Sequence, residues 1–315
     1  MKKKIAVCIL TYNRINLLKR AIRSVLNSRY KDFQLIVFND NSKDGTNEYL
    51  DTLTNGDSII EIRHKKNLGQ INNSNFMLDY ICNNSEFDFF LILHDDDLIS
   101  KYLIEEKIKI MSLDKDIAIV GSAWNIIDDN ENIKKTNSYQ EFKNTVILTD
   151  REYFLHHFKG LAFPWTGVLY RKSKINSYKL NNFYGNGADV IFLAEVILGN
   201  KVCYIPRTLY NYRVHQNQQS SLRKDLHYNY ELWIKIFTFY RNLVSEKFNE
   251  KDCIDNLKIA NNKTMLYFIL ESENLNFFFK MLTSKYLTIR FIKLKDYLRI
   301  IKKFFKLLFP IFSEY

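Results

Sequence analysis

The strongest constraint on this chain is the alternation along its first 120 residues. Four short runs rich in β-branched and aromatic side chains are "KIAVCIL" (4 to 10), "FQLIVFND" (33 to 40), "SIIEIRH" (58 to 64) and "FDFFLILHD" (87 to 95). Runs of helical character separate them. In "NLLKRAIRSVLNS" (16 to 28), Leu17, Ala21, Ile22 and Val25 recur at helical spacing. "SKDGTNEYLDTL" (42 to 53) offers Ser42 or Asp44 as a cap, and "GQINNSNFMLDYICNN" (69 to 84) supplies a third helix. Strands alternating with helices predict an α/β fold, with a mostly parallel central sheet flanked by helices.

Ligands of open α/β sheets bind at the carboxyl ends of the strands. Those ends read "TYNR" (11 to 14), "NDNSKDGT" (39 to 46), "HKKNLGQINNSN" (64 to 75) and "HDDDL" (94 to 98). They lack the glycines of a dinucleotide site or a phosphate loop, so phosphate must be held some other way, and a metal ion on carboxylates is the usual one. Asp95, Asp96 and Asp97 fit that need, because three adjacent carboxylates raise one another's pKa unless a cation or donor groups offset the charge. The bland alternative is an acidic turn capping the sheet of a non-catalytic module.

The runs "VCILTYNR", "LIVFNDNSKDGT", "NLGQINNSN" and "FLILHDDDL" resemble successive motifs of family 2 glycosyltransferases with the GT-A fold, which is Rossmann-like. The runs "TGVLYRKS" (166 to 173), "GADVIFLAEV" (187 to 196) and "LYNYRVHQNQQS" (209 to 220) resemble that family's later motifs. The resemblance covers about residues 3 to 220. It implies metal-dependent transfer, with inversion, of a hexosyl or N-acetylhexosaminyl group from a nucleotide diphosphate donor, with UDP the expected carrier. The acceptor would be a hydroxyl of a glycan or lipid-linked glycan, in surface polysaccharide or glycolipid synthesis, and the cofactor Mn²⁺ or Mg²⁺.

The resemblance also assigns residues. Thr11, Tyr12, Asn13 and Arg14 would line the base and ribose pocket, with Arg14 near the diphosphate. Asp40 would accept a hydrogen bond from the base, and Asn67 and Gly69 would complete the nucleotide site together with Asp95 and Asp96. Asp95 and Asp97 have the D-x-D spacing, while Asp96 and Asp97 also align with the family's common DD ending. His94 stands where many members have Asp, which leaves the direct ligand open; Asp97 is the favoured metal ligand, with Asp95 beside it and His215 as a third. Asp189 aligns with the general base, preceded by Ala188 where a second acid is usual, and Glu195 is the fallback. Trp165 is either a stacking platform for the acceptor sugar or a core residue.

Net charge is +11, and its location decides its meaning. Residues 280 to 309 hold nine Lys and Arg against Asp296 alone, leaving eight of those charges in one segment. There Leu287, Phe291, Leu294, Leu298, Ile301, Phe305 and Leu308 recur at spacings of four and three, with Arg299, Lys302 and Lys306 alongside. A basic amphipathic helix of this kind predicts attachment to an anionic membrane surface through residues 280 to 315, in preference to nucleic acid. Packing on the protein itself, or on a second copy in a homo-oligomer, is the alternative.

Cys8, Cys82, Cys203 and Cys253 form no paired motif, which suits a reducing compartment. "MKKKIAVCILTYNR" has an apolar run too short for a signal peptide, and no run reaches the length of a membrane span. The expected location is therefore cytoplasmic, peripheral on the inner face of the cell membrane. The expected organisation is a catalytic domain over 1 to 220, with a donor half (1 to 98) and an acceptor half (99 to 220). A helical, basic region follows over 221 to 315.

Overall fold

The computed structural model describes residues 5–53, 59–175, 177–215, 225–248, 251–272, 275–285, 287 and 294–308. It divides into two compact units, Met1–Tyr153 with Leu161–Ser221, and Phe154–Gly160 with Leu222–Tyr315. The tail of the last motif, at 216 to 220, lies outside the described residues, as do Arg290, Phe291 and Lys293.

In the first unit the chain runs β1 (Ile5–Thr11), α1 (Ile15–Leu26), β2 (Phe33–Asn39), α2 (Thr46–Leu53), β3 (Ile59–Arg63), α3 (Gln70–Asn83) and β4 (Phe89–His94). Then come β5 (Leu98–Ile99), α4 (Leu103–Met111), β6 (Ile117–Ile127), β7 (Ile133–Asn137), β8 (Val146–Leu148) and α5 (Asp150–Lys159), whose last residues fall in the second unit. β9 (Leu169–Arg171), α6 (Ala188–Ile197) and β10 (Lys201–Arg213) complete it.

The sheet order is β3-β2-β1-β4-β9-β6-β10-β5, with β7 on β6 and β8 on β10. The pairs β2/β3, β1/β2, β1/β4 and β6/β10 are parallel, and the short β9 enters antiparallel between β4 and β6. β1 and β4 are apolar because helices and strands bury both faces, and Ile5 to Ile9 and Phe90 to Leu93 have no exposed surface. α1 buries Leu18, Ala21, Ile22 and Val25. Leu18 rather than Leu17 thus leads its apolar stripe.

Register places the site. Thr11 lies opposite Asn39, and Leu10 opposite His94, so β1, β2 and β4 end level. The ladder runs one residue further, with Asp40 N–H on the Thr11 carbonyl at 3.0 Å and Asp95 N–H on that of Leu10 at 3.2 Å. Two carboxylates from different loops thereby emerge at the same level, on either side of β1.

The second unit contains α7 (Leu226–Leu243), α8 (Lys251–Glu271), α9 (Leu275–Leu282) and α10 (Leu294–Leu308). Asp225 caps α7, its carboxylate accepting from the N–H groups of His227 and Tyr228. Its core joins Tyr230, Met265, Phe268, Ile269, Phe277, Phe278, Met281 and Ile300, with Phe304 and Leu307 packed against it. This corrects the expected stripe of α10. The face turned to the unit's core carries Ile300, Phe304 and Leu307, whereas Leu298 is 60% exposed and Ile301 51%. Of the expected stripe, Leu287 packs against the unit's core, Leu298 and Ile301 face outward, and Phe291 lies outside the described residues. Among the described residues no helix is long and apolar enough to cross a membrane.

Candidate active site

The turn after β4 sends its three carboxylates in different directions. Asp95 Oδ2 accepts from Thr11 Oγ1 at 2.7 Å and from Tyr12 N–H at 3.3 Å, and its Oδ1 faces Arg14 Nη1 at 3.1 Å. Asp97 accepts from the Tyr210 hydroxyl on Oδ2 and from Arg213 N–H on Oδ1 at 2.8 Å. Asp96 Oδ2 meets Arg14 Nη1 at 2.8 Å and His215 Nε2 at 3.2 Å, but its Oδ1 is buried with no hydrogen-bond partner, as is His94 Nε2. A buried polar atom without a partner is costly and marks a ligand position.

His94, Asp96 and Asp97 form the group that could hold a cation, with ligand atoms within 4.8 Å of one another. Asp95 is committed to β1 and its loop. The D-x-D pair is divided here, Asp95 facing Thr11 and Arg14 and Asp97 facing Tyr210 and Arg213. Two carboxylates suit Mn²⁺ or Mg²⁺, and an imidazole nitrogen beside them favours the transition metal of the two, so the residues present fit a divalent ion.

Electrostatics separates the three further. Burial and the charge of Asp96 push Asp95 up to about 7, against the pull of Arg14. The same two causes carry Asp97 well above the carboxylate range. Burial also opposes ionisation of Asp96, yet the His215 hydrogen bond and the charges of His94 and Arg14 hold its pKa below the ordinary value. Asp96 is thus the most acidic carboxyl of the three.

The neighbouring loops are built to hold still. Asp40, 2% exposed, accepts from Leu68 N–H at 2.7 Å and Gly69 N–H at 3.0 Å, while Asn67 reaches the Asp40 carbonyl at 3.4 Å. Asp40 therefore latches the third loop to the second, leaving one lone pair on each oxygen. Gly69 has φ of 81° and open space where a Cβ would stand, so its conformation rather than crowding by protein calls for glycine. Asn13 turns the first loop at φ 52°, donates its N–H to Ser42 Oγ and accepts from Lys43 N–H. Asn13 is a turn residue here, and Thr11 spends its hydroxyl on Asp95. Tyr12, 47% exposed, is the loop's open aromatic face.

On the acceptor side, Trp165 is 3% exposed, which settles its two readings in favour of the core. Its ring meets His94 edge-on at 5.7 Å and Phe192 at 6.1 Å. Phe192 lies one helical turn from Asp189, so Trp165 links the carboxylate turn to the helix bearing Asp189. Asp189 sits in the first turn of α6, and burial pushes its pKa up to about 6.

Several contributors escaped sequence reasoning. Tyr210 joins Asp97 to Thr166 Oγ1 at 2.6 Å, and Gly167 packs so tightly on the Tyr210 ring that a Cβ would come within 2.4 Å of it. Arg213 is fully buried, with Nε on the Asp96 carbonyl at 2.8 Å and Nη1 on that of Asp128 at 2.7 Å. Lys107 donates to the Gly167 carbonyl at 2.5 Å, and burial pulls its pKa down to about 7. A signal for Lys107 exists, since it occupies an apolar-stripe position of α4 between Leu103 and Met111. Tyr210 and Arg213 lie inside the "LYNYRVH" motif, where His215 drew the attention.

A sequence model of glycosyl transferase family 2 matches residues 6–178. The chain belongs to that family. Asp189 and His215 lie beyond the matched span. An uncharacterized glycosyltransferase of Haemophilus influenzae is 27% identical over 234 residues, 72% of this chain and 69% of that protein. The GalNAc(5)-diNAcBac-PP-undecaprenol beta-1,3-glucosyltransferase of Campylobacter jejuni is 26% identical over 266 residues, 82% of this chain and 81% of that protein. Among solved structures, S. aureus TarS 1-349 in complex with UDP-GlcNAc superposes with TM-score 0.64 at 15% identity, covering 97% of this chain and 81% of that one. The fold of this glycosyltransferase is GT-A.

Proposed function

We propose that this enzyme transfers a hexosyl or N-acetylhexosaminyl group from a UDP-sugar, with inversion, to a hydroxyl of a glycan or lipid-linked glycan in surface polysaccharide or glycolipid synthesis. The observation that carries the reading is the buried, unpartnered Asp96 oxygen beside His94 and Asp97. Mn²⁺ or Mg²⁺ at those residues would neutralise the charge that develops on the leaving diphosphate. Tyr12 offers a face to the base, and Asp40 fixes the loops around it. Asp189, whose carboxyl titrates near neutrality, takes the proton of the acceptor hydroxyl as that oxygen attacks the anomeric carbon; the bond to the β-phosphate breaks and UDP departs. A single in-line displacement inverts the configuration. The UDP-GlcNAc complex of TarS supports the donor, and the undecaprenol-linked substrate named for the Campylobacter relative supports the acceptor class.

UDP is expected to raise the melting temperature in the presence of Mn²⁺ and to do little in its absence. Equal shifts with and without Mn²⁺ would remove the metal from the reading, and no shift with UDP would remove the donor.

The division of labour that follows is a donor half over 1 to 98, an acceptor half over 99 to 220, and a helical region over 221 to 315 that attaches to the membrane. The enzyme would work as a cytoplasmic protein, peripheral on the inner face of the cell membrane, with no nucleic acid partner. The outward stripe of α10 supports this, since Leu298 and Ile301 are exposed among exposed Lys295, Arg299 and Lys302. Replacing Leu298 and Ile301 together by Ser should cut sedimentation with anionic vesicles by roughly a hundredfold in partition, about 3 kcal/mol of apolar burial. Unchanged sedimentation sinks the membrane assignment. A solution dimer that the same double variant dissolves would instead give the stripe to a homo-oligomer.

A further inference from the structure

Two arginines serve the carboxylate turn, and they are held in opposite ways. Arg213 has no exposed side-chain surface, and Nε, Nη1 and Nη2 all find partners, in the Asp96, Asp128 and Asp129 carbonyls and Glu131. It is part of the scaffold. Arg14 is 27% exposed and engages through Nη1 alone, at 3.1 Å from Asp95 and 2.8 Å from Asp96, while its Nε and Nη2 have no partner among the described residues. A guanidinium that serves structure commonly uses its paired donors on one carboxylate. Arg14 instead behaves as a point charge set between two acids, with most of its N–H groups unused.

Only the side chain of Arg14 is free to move. Its carbonyl accepts from Leu17 N–H and Leu18 N–H at the start of α1, and the flanking N–H groups of Asn13 and Ile15 are taken by Ser42 and Asp44. The oxygen of Asp96 that Arg14 contacts belongs to the same carboxylate as the unpartnered Oδ1.

We propose that Arg14 is an exchangeable counter-charge. Without a divalent ion it neutralises Asp95 and Asp96; when an ion is bound it releases Asp96 and turns its unused N–H groups to the diphosphate. Metal and nucleotide binding are thereby coupled through one side chain. The inference rests on the reading of His94, Asp96 and Asp97 as the cation site.

The sign of one measurement separates this role from a structural one. A cation about 3 Å from Asp96 opposes a second cation there, so removing it should tighten metal binding, whereas losing a scaffold residue should weaken it. Full-length wild type, Arg14→Gln and Arg14→Lys are titrated with Mn²⁺ alone, followed by the EPR signal of free Mn²⁺. Arg14→Gln is expected to bind roughly tenfold more tightly, and Arg14→Lys, which keeps the charge, close to wild type. With Mn²⁺ saturating, Arg14→Gln should bind UDP more weakly than wild type. Mn²⁺ binding by Arg14→Gln that equals or falls below wild type overturns the inference while leaving the cation site in place. Absence of Mn²⁺ binding by wild type and Arg14→Gln alike overturns the cation site, and this inference with it.

Discussion

Asp189→Asn is expected to lower kcat about a thousandfold, the middle of the range for loss of a positioned general base, while leaving Mn²⁺-dependent binding of UDP intact. The amide keeps the shape of the carboxylate, and its oxygen can still accept from Val190 N–H at 2.8 Å. What it cannot do is take a proton. Burial raises this carboxyl to about 6, so the protonated, inactive form dominates below that pH and the basic form above it. In the wild type kcat/KM should therefore rise with pH through about 6 and then level off, and the residual rate of the variant should lack that rise. Glu195, also raised by burial and six residues further along α6, is the control. Should Glu195→Gln abolish transfer while Asp189→Asn does not, the base has been misassigned. Joint loss of transfer and UDP binding in Asp189→Asn would make Asp189 structural.

Asp96→Asn should remove the Mn²⁺ dependence of UDP binding and reduce transfer by about 4 kcal/mol of transition-state stabilisation, on the order of a thousandfold. Its effect on stability should be smaller than that of Asp97→Asn. Asp97 accepts on both oxygens, from the Tyr210 hydroxyl and from Arg213 N–H, and an amide can accept on only one. Stranding one of those donors costs about 1–3 kcal/mol. Asp96 has an oxygen with nothing to lose. Melting curves and transfer rates of the two variants should thus fall in opposite order. If Asp96→Asn keeps its Mn²⁺ dependence, Asp97 or Asp95 is the principal ligand after all.

Period and composition made the sheet legible. The buried runs of β1 and β4, the helical spacing in α1 and the polar strand ends all follow from which side chains water excludes, and that is visible in one dimension. Direction is not. Nothing in "HDDDL" says that Asp95 turns toward Thr11, Asp97 toward Tyr210, and Asp96 toward His215. Those choices depend on partners 80 to 120 residues away. Trp165 posed the same problem, because an indole next to a site is sequence-legible and the face it shows is not. α10 is the instructive case. Its apolar residues fit two overlapping helical stripes, and spacing alone singled out Leu298 and Ile301, which the structure leaves outside, over Ile300 and Phe304, which it buries or half-buries.

That arrangement has a thermodynamic consequence. Ile300, with Phe304 and Leu307 beside it, ties α10 into the core of its own unit, so the helix is already formed before Leu298 and Ile301 meet any surface. Amphipathic segments that fold only on contact spend much of their binding free energy on ordering the backbone. Here almost none is spent that way. Attachment of the kind proposed above would then be fast and reversible, with its strength set by a few outward side chains.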